Sequence, residues 1–216
     1  MALFSVTHNT QPIALAITGA SGSPYGFRLL ECLIEAGRQV YLMVSRAGQV
    51  VARIESDISL PAQPSALESM LREQYGALPG QLRVFGRDQW TAPVASGSNA
   101  PEAMVVCPCS TGTLSAIAAG ASDNLIERAA DVALKEQRKL ILVVRETPLS
   151  PIHLENMLKL ARLGVLVMPA SPGFYHRPKQ VEDLVDFVVA RVLDHLSVEH
   201  RLVGRWGERQ EDLPQD

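Results

Sequence analysis

Three short polar segments of this chain combine residue types that bind phosphate and move protons. Thr18-Gly-Ala-Ser-Gly22 supplies glycines, a serine hydroxyl and backbone N–H groups that suit an anion. Cys109-Ser-Thr-Gly-Thr113 offers three hydroxyls and a glycine. Arg145 and Glu146 are adjacent, so a guanidinium could hold a phosphate while a carboxylate manages its proton. Each segment directly follows an apolar run, which predicts that all three lie at strand ends.

Charged residues on two predicted helices have a plainer interpretation from their pattern alone. Arg128, Asp131 and Lys135 recur at spacings of three and four among Ala, Val and Leu residues. This spacing favours a solvated face with an Asp131–Lys135 pair, worth about 0.2–0.5 kcal/mol. Arg191 borders an apolar stripe, which is typical of a surface arginine whose stem covers apolar side chains.

Several other chemistries are disfavoured by spacing. The glycines at 19, 22 and 26 do not form the dinucleotide fingerprint, although Arg46 would suit a phosphorylated nicotinamide cofactor. Tyr175 and Lys179 match a dehydrogenase pair only superficially, because Pro178 would interrupt their shared helix. Cys109 has no histidine partner in the sequence that would make it a nucleophile. The histidines and cysteines lack metal-ligand spacing, so we expect no catalytic metal.

Apolar runs alternate with helical patterns along the whole chain. Strands that are apolar on both faces indicate a parallel sheet covered on both sides, in a single doubly wound α/β domain. Ligands in such folds bind at the carboxyl ends of the strands. The predicted strands are 13–18, 39–44, 103–107, 140–144 and 165–168, and the predicted helices are 24–36, 65–75, 113–119, 124–137, 151–163 and 179–196. The proline-containing stretches 55–64 and 76–101 are expected to be loop-rich, with a mobile connection at 96–98.

Composition limits the possible partners and the cellular compartment. The 216 residues carry 20 basic and 23 acidic side chains, a net charge of −3 that does not favour nucleic-acid binding. No apolar run approaches the length of a membrane span, and the first residues do not resemble a signal peptide. Three cysteines are too few for a disulfide scaffold and indicate reduced thiols in a cytoplasmic protein. We expect an N-terminal extension at 1–11, one domain at 12–196, and a tail at 197–216 that either docks or is disordered.

Five segments, in order, resemble the flavin prenyltransferase family, that is, UbiX and the related Pad1 proteins. The resemblance covers about residues 12–196, and its joint pattern is more specific than any one piece. The segments are Thr18–Gly22, Met104–Ser110, Asp123–Lys135, Val144–Leu149 and Met168–Pro178.

The resemblance implies a flavodoxin-like Rossmann fold, and a homo-oligomer that is a dodecamer in this family. It implies that FMN is a substrate to which dimethylallyl monophosphate gives its prenyl group, at flavin N5 and C6, without a metal. The prenylated FMN would serve a UbiD-type decarboxylase, in ubiquinone synthesis or in aromatic acid breakdown. Pyrophosphate is an alternative to monophosphate in the donor.

The resemblance also implies roles for individual residues. Ser21 would lie near flavin N5, Glu55 and Trp90 near the prenyl group, and Glu146 would relay protons. The indole face of Trp90 would stabilise an allylic cation. FMN would be held by Gly19, Ala20, Ser21, Ser45, Ser110, Thr111, Gly112, Thr113 and Arg145. The allylic phosphate would be surrounded by Arg128, Lys135, Glu146, Tyr175 and Arg191, with neighbouring subunits completing the pocket.

Two other functions fit the same fold. One is a flavin-dependent cysteine decarboxylase, but its Asn-containing motif is absent and residues 24–36 contain no histidine. The other is a flavin carrier without enzymatic activity. A carrier would not need the second anion site formed by Lys135, Glu146, Tyr175 and Arg191.

Overall fold

The centre of the molecule is a sheet of six parallel strands. The computed structural model describes residues 11–56 and 59–204. The strands are β1 (Ile13–Ile17), β2 (Val40–Val44), β3 (Leu82–Phe85), β4 (Ala103–Cys109), β5 (Lys139–Val144) and β6 (Leu166–Pro169). They hydrogen-bond in the order β3-β2-β1-β4-β5-β6, which is the Rossmann order. The predicted doubly wound fold is therefore confirmed.

Seven helices among the described residues cover both faces of this sheet. They are α1 (Ser23–Glu35), α2 (Arg46–Ser56), α3 (Pro64–Tyr75), α4 (Thr111–Ala119), α5 (Leu125–Lys135), α6 (Pro151–Arg162) and α7 (Val181–His195). Two 3-10 turns, Pro93–Ala95 and Gly97–Asn99, precede β4. None of the helices in the described ranges combines the length and apolar character that crossing a membrane would take.

The side chains of β1 show why both faces must be covered. Alternate strand residues point to opposite faces of a sheet. Leu15 and Ile17 pack with residues of α1 and α7, whereas Ala14 and Ala16 pack with residues of α4 and α5. Each of these four side chains is at most 1% exposed. Full burial of a Leu or Ile side chain contributes about 1.5–3 kcal/mol, so the core of each face stabilises the same strand.

Helix ends are fixed by side chains that the sequence places at the right positions. Ser110 caps α4 by accepting a hydrogen bond from the N–H of Thr113. Asn124 caps α5 by accepting from the N–H groups of Ile126 and Glu127. Ser150 and His153 form a reciprocal capping box at the start of α6. Because α4 follows β4 directly, its cap also fixes the polar residues at that strand's carboxyl end.

Two elements are absent from the sequence prediction and present in the structure. The sequence predicts loop over most of 76–101, but β3 lies there, at the edge of the sheet. Its four residues include the exposed Arg83, so the apolar run is too short to be distinctive. No element was expected over 46–56, where α2 forms. Its apolar residues Val50, Val51 and Ile54 recur at helical spacing, a signal that the sequence analysis overlooked, although only Gly48 and Ala52 are buried.

Packing against the core continues beyond the predicted domain end at residue 196. Val198 is 7% exposed and Leu202 packs against the same core cluster as α1 and α7. The 96–98 segment, expected to be a mobile connection, contains most of a 3-10 turn. Trp206 and the rest of the predicted tail from 205, and most of the N-terminal extension, lie outside the described residues.

Candidate active site

The loop after β1 is joined directly to the loop after β4. Thr18 Oγ1 donates a hydrogen bond to the Pro108 carbonyl at 2.8 Å and accepts one from the Ser110 N–H at 2.9 Å. Gly22, at the start of α1, has a φ of 109°, and a Cβ there would collide with the Tyr25 ring. Glycine is therefore required at this position. These contacts place the first two polar segments side by side, as the sequence predicts.

Glu55, from the last turn of α2, binds the amino end of α1. Its carboxylate accepts hydrogen bonds from the N–H groups of Gly22 and Ser23 at 2.8–3.0 Å, and from the Ser23 hydroxyl at 2.8 Å. Partial burial acts to raise the pKa of Glu55. Hydrogen bonds from Ser21, Ser23 and the backbone outweigh it, so the pKa lies below its ordinary value. Two N–H groups of this helix start are thus already bound to an internal anion.

Arg145 and Glu146 lie beside this loop at the end of β5. Arg145 Nε donates to the Ser21 carbonyl at 3.1 Å. Glu146 accepts from the Thr111 hydroxyl at 3.4 Å and from the Thr147 N–H at 3.1 Å. Both charged residues are half-buried. The carboxyl ends of β1, β4 and β5 therefore bring a guanidinium, a carboxylate and several hydroxyls into one cluster, which we call the carboxyl-edge cluster.

The hydrogen bonds of this cluster leave donors available for a phosphorylated flavin. Ser45 Oγ accepts from the Gly48 N–H at 3.0 Å, so its own proton remains free to donate. Thr113 Oγ1 accepts from Ser110 at 3.0 Å and likewise keeps its proton. Among the described residues, Arg145 is paired only through Nε. Hydroxyl and guanidinium donors of this kind fit the anionic phosphate and polar ribityl chain of FMN.

The structure separates Lys135 from the carboxyl-edge cluster. Lys135 ends α5 at the amino-terminal side of the sheet, four residues before β5 begins. β5 has six residues, and five steps of about 3.3 Å separate its ends by about 17 Å. Within one chain, Lys135 therefore does not reach Glu146. Arg191 lies one turn after Phe187 of α7, which stacks on His176 of the loop after β6.

The predicted phosphate-binding cations are paired with carboxylates of their own helices. Arg128 donates to Asp131 at 2.7 Å and to the Ala95 carbonyl at 3.0 Å. Lys135 contacts Glu136. The expected Asp131–Lys135 pair does not form, because Arg128 takes that carboxylate. The sequence analysis missed Ser23 as a site-forming residue and gave Thr18 no role of its own; a hydroxyl at each end of a glycine-rich turn was the available signal.

Two aromatic residues with assigned roles, Trp90 at the prenyl group and Tyr175 at the allylic phosphate, are exposed in the single chain. Trp90 is 48% exposed in the segment after β3, and Tyr175 is 78% exposed in the loop after β6. Both follow carboxyl ends of strands, on the same edge as Glu146. Such exposed aromatic groups need further surface to enclose an allyl chain, and a neighbouring copy could supply it.

The cysteines do not provide an alternative nucleophile. Cys109 is fully buried, and burial raises the pKa of its thiol to about 12. Burial also raises the pKa of Cys107. A thiol that stays protonated at neutral pH is inert. Within residues 11–56 and 59–204, no group of three or more His, Cys, Asp or Glu side chains is arranged to hold a metal ion.

Sequence comparison identifies close relatives of this chain. A family model described as Flavoprotein matches residues 4–193. The chain is 61% identical to the flavin prenyltransferase UbiX of Pseudomonas aeruginosa over 197 residues. The aligned region covers 91% of this chain and 94% of that protein.

Solved structures of similar proteins agree with the fold. AnUbiX (PadA1), in complex with FMN and dimethylallyl pyrophosphate, is 37% identical with a TM-score of 0.81, over 94% of this chain and all of that one. A dodecameric FMN-dependent UbiX-like decarboxylase from Escherichia coli O157:H7 is 40% identical with a TM-score of 0.80, over 90% and 98% of the two chains. A PPC decarboxylase variant is only 17% identical, with a TM-score of 0.59, so it shares the fold alone.

Proposed function

Because this chain belongs to the UbiX family of flavin prenyltransferases, we propose that it joins a dimethylallyl group to N5 and C6 of reduced FMN. The allyl donor is dimethylallyl monophosphate, and inorganic phosphate is released. The 61% identity to a flavin prenyltransferase over nearly the whole chain carries this proposal. The carboxyl-edge cluster supports it, because it combines flavin-binding donors with a carboxylate suited to proton transfer.

In this proposal, FMN lies along the carboxyl ends of β1, β2, β4 and β5. The flavin supplies the nucleophilic nitrogen and carbon, and the protein holds it in place. Ser21 faces N5, and the other contacts come from Gly19, Ala20, Ser45, Ser110, Thr111, Gly112, Thr113 and Arg145. Glu55 fixes the loop that carries Ser21 through hydrogen bonds to Gly22 and Ser23. The supporting observation is that hydrogen bonds already join Arg145 to Ser21 and Ser110 to Thr113 at this edge of the sheet.

Glu146 is the proton carrier of the proposed reaction. It gives a proton to the departing phosphate as the N5–C bond forms and N5 loses its own proton. In the ring closure, the prenyl double bond gains a proton and flavin C6 loses one, which Glu146 takes. The hydroxyl of Thr111 and the N–H of Thr147 hold its two oxygens at 3.4 and 3.1 Å. The leaving group is a monophosphate, so Arg and Lys donors can carry its charge without a metal ion. Trp90 offers an aromatic face for the allylic cation.

The allylic phosphate site is proposed to form between neighbouring copies of the chain. Arg128, Lys135, Tyr175 and Arg191 are its proposed ligands, together with Glu146. Since Lys135 lies about one strand length from Glu146, a second copy must present it. We therefore propose a homo-oligomer, and a dodecamer by similarity to the UbiX-like protein from E. coli.

The product has a proposed destination. Prenylated FMN leaves this enzyme and serves a UbiD-type decarboxylase. The proposed compartment is the cytoplasm, where the three free cysteines of this chain would remain reduced.

Mass spectrometry of the flavin tests the proposed reaction. The purified protein is incubated anaerobically with reduced FMN and dimethylallyl monophosphate, with a chelator and no added metal. We expect a flavin heavier by one five-carbon prenyl unit, with one phosphate released per flavin. A parallel reaction with dimethylallyl pyrophosphate identifies the preferred donor. Unchanged FMN with either donor, despite flavin binding, would refute the transferase function and make a cysteine-terminated peptide the next substrate to test.

A further inference from the structure

Arg191 is one end of a three-residue chain of hydrogen bonds outside the carboxyl-edge cluster. Its Nη1 donates to Asp194 Oδ2 at 2.7 Å, and the other oxygen of the same carboxylate lies 3.1 Å from His200 Nε2. Arg191 and Asp194 are three residues apart on α7, whereas His200 comes from the segment that follows the helix. The carboxylate therefore joins two separate parts of the chain to one arginine.

The chemistry of His200 fixes the direction of its hydrogen bond. A carboxylate oxygen only accepts, so Nε2 carries the proton and donates to Asp194. The His200 side chain is 13% exposed, and its Nδ1 is buried without a hydrogen-bond partner among the described residues. Val198 and Leu202 pack into the core on either side of it. The imidazole is thus held rigidly while the Arg191 side chain is 53% exposed.

We propose that Asp194 and His200 are positioning residues that fix the guanidinium of Arg191 for the phosphate of the allylic substrate. This inference rests on the proposed function, in which Arg191 binds that phosphate. Only Nη1 is engaged within the described residues, so Nε and Nη2 remain free to donate. An exposed arginine has many rotamers, and holding one of them reduces the entropy lost when phosphate binds.

Positioning of Arg191 and the negative charge of Asp194 have opposite effects on phosphate binding, so the direction of the change in affinity distinguishes them. Asp194 carries a negative charge, and a carboxylate beside an anion site opposes phosphate binding. If positioning dominates, removing the carboxylate weakens binding of the allylic phosphate. If charge dominates, removing it strengthens binding. His200→Leu separates the two effects, because it removes the hydrogen bond to Asp194 and leaves the carboxylate of Asp194 in place.

The test compares steady-state constants of assembled variants for each substrate. We expect Asp194→Asn and His200→Leu to raise KM for dimethylallyl monophosphate by about three- to tenfold. We expect kcat, KM for FMN, the assembly state and Tm to stay close to wild type. His200→Gln, whose amide can still donate to Asp194, should largely restore KM. Glu31→Gln is the matched control, because Glu31 makes an i,i+3 ion pair with Arg28 of the same kind.

The outcomes separate this inference from the function on which it rests. Arg191→Ala should raise KM for the allyl donor more than either positioning variant does. If Arg191→Ala raises KM while Asp194→Asn and His200→Leu leave it unchanged or lower it, the positioning role is refuted and the transferase stands. If Arg191→Ala leaves KM for the allyl donor unchanged in an active enzyme, Arg191 does not bind the phosphate and the positioning role is refuted. If the wild type does not prenylate FMN at all, both are refuted.

Discussion

Removing the Glu55 carboxylate is expected to destabilise the fold because that group caps α1 from a distant helix. Glu55→Ala leaves the N–H groups of Gly22 and Ser23 and the Ser23 hydroxyl without their acceptor. Glu55→Gln keeps an oxygen acceptor but removes the charge. The two variants therefore separate the hydrogen bonds from the electrostatic contribution.

The size of the effect follows from what the carboxylate contacts. Loss of a helix N-cap costs about 1 kcal/mol, and a charge at a helix amino end adds about 0.3–1 kcal/mol when it is exposed. Glu55 is mostly exposed, so solvent screening limits its charge contribution to the low part of that range. We expect Glu55→Ala to lower stability by about 1–2 kcal/mol, which is about 2–8 °C in Tm for a chain of this size.

The dependence on pH gives this prediction its sharpest test. The folded-state pKa of Glu55 is depressed, so its stabilisation is complete above the ordinary carboxylate pKa and is lost as pH falls through the folded value. The difference in urea-unfolding free energy between wild type and Glu55→Gln should be constant at neutral pH and shrink below about pH 4.5. Flavin-free protein at one fixed concentration avoids contributions from ligand binding.

Glu73→Ala is the matched control, because Glu73 is an exposed glutamate on α3 with no hydrogen bond or ion pair in the described structure. Equal stabilities of the Glu55→Ala and Glu73→Ala proteins at pH 7 would refute the capping argument. A Glu55→Gln deficit that persists undiminished under acidic conditions would refute the charge assignment.

Three further predictions concern the cluster and its supports. Glu146→Gln should lower kcat by about 10²–10⁴ while FMN affinity, measured by flavin fluorescence, stays the same; near-normal turnover would exclude Glu146 as the proton carrier. Cys109→Ala should keep kcat within about threefold of wild type because its buried thiol is not a nucleophile; loss of turnover in a folded variant would contradict this. Gly22→Ala should cost about 1–3 kcal/mol in urea unfolding because its φ is 109°, whereas Gly112→Ala, with open space around its Cβ, should be nearly neutral.

The fold was predictable from sequence wherever burial was two-sided or caps were present. β1 and β5 are continuous apolar runs because helices cover both of their faces. α4 and α5 begin at Ser110 and Asn124, which are typical capping residues. β3 escaped prediction because it is a four-residue edge strand with an exposed arginine, which leaves too weak a periodic pattern to be distinguished from loop. α2 was overlooked although Val50, Val51 and Ile54 recur at helical spacing in its sequence.

The carboxyl-edge cluster was predictable in its membership but not in its contacts. Ser21, Arg145 and Glu146 follow strands, and a parallel sheet necessarily brings such residues to one edge. The position of Glu55 could not be read from the sequence, because it depends on the packing of α2 against α1. The N–H groups of Gly22 and Ser23 could bind the phosphate of a ligand. In the structure they bind the carboxylate of Glu55, which lies 32 or 33 residues later in the sequence. Spacing along the chain identifies a donor, not its acceptor.

The family resemblance and the residue pattern predicted different roles for the charged residues of α5 and α7. Within one chain, Arg128 and Arg191 lie on partly solvated helix faces, as the pattern predicts, and each pairs with an aspartate of its own helix. The resemblance assigns both, with Lys135, to a phosphate site, and the length of β5, about 17 Å, keeps Lys135 from the Glu146 of its own chain. Both interpretations hold only if the surface of one copy is the phosphate site of another. In that case, a helix face that is solvated in the single chain would line the active site of a neighbouring copy.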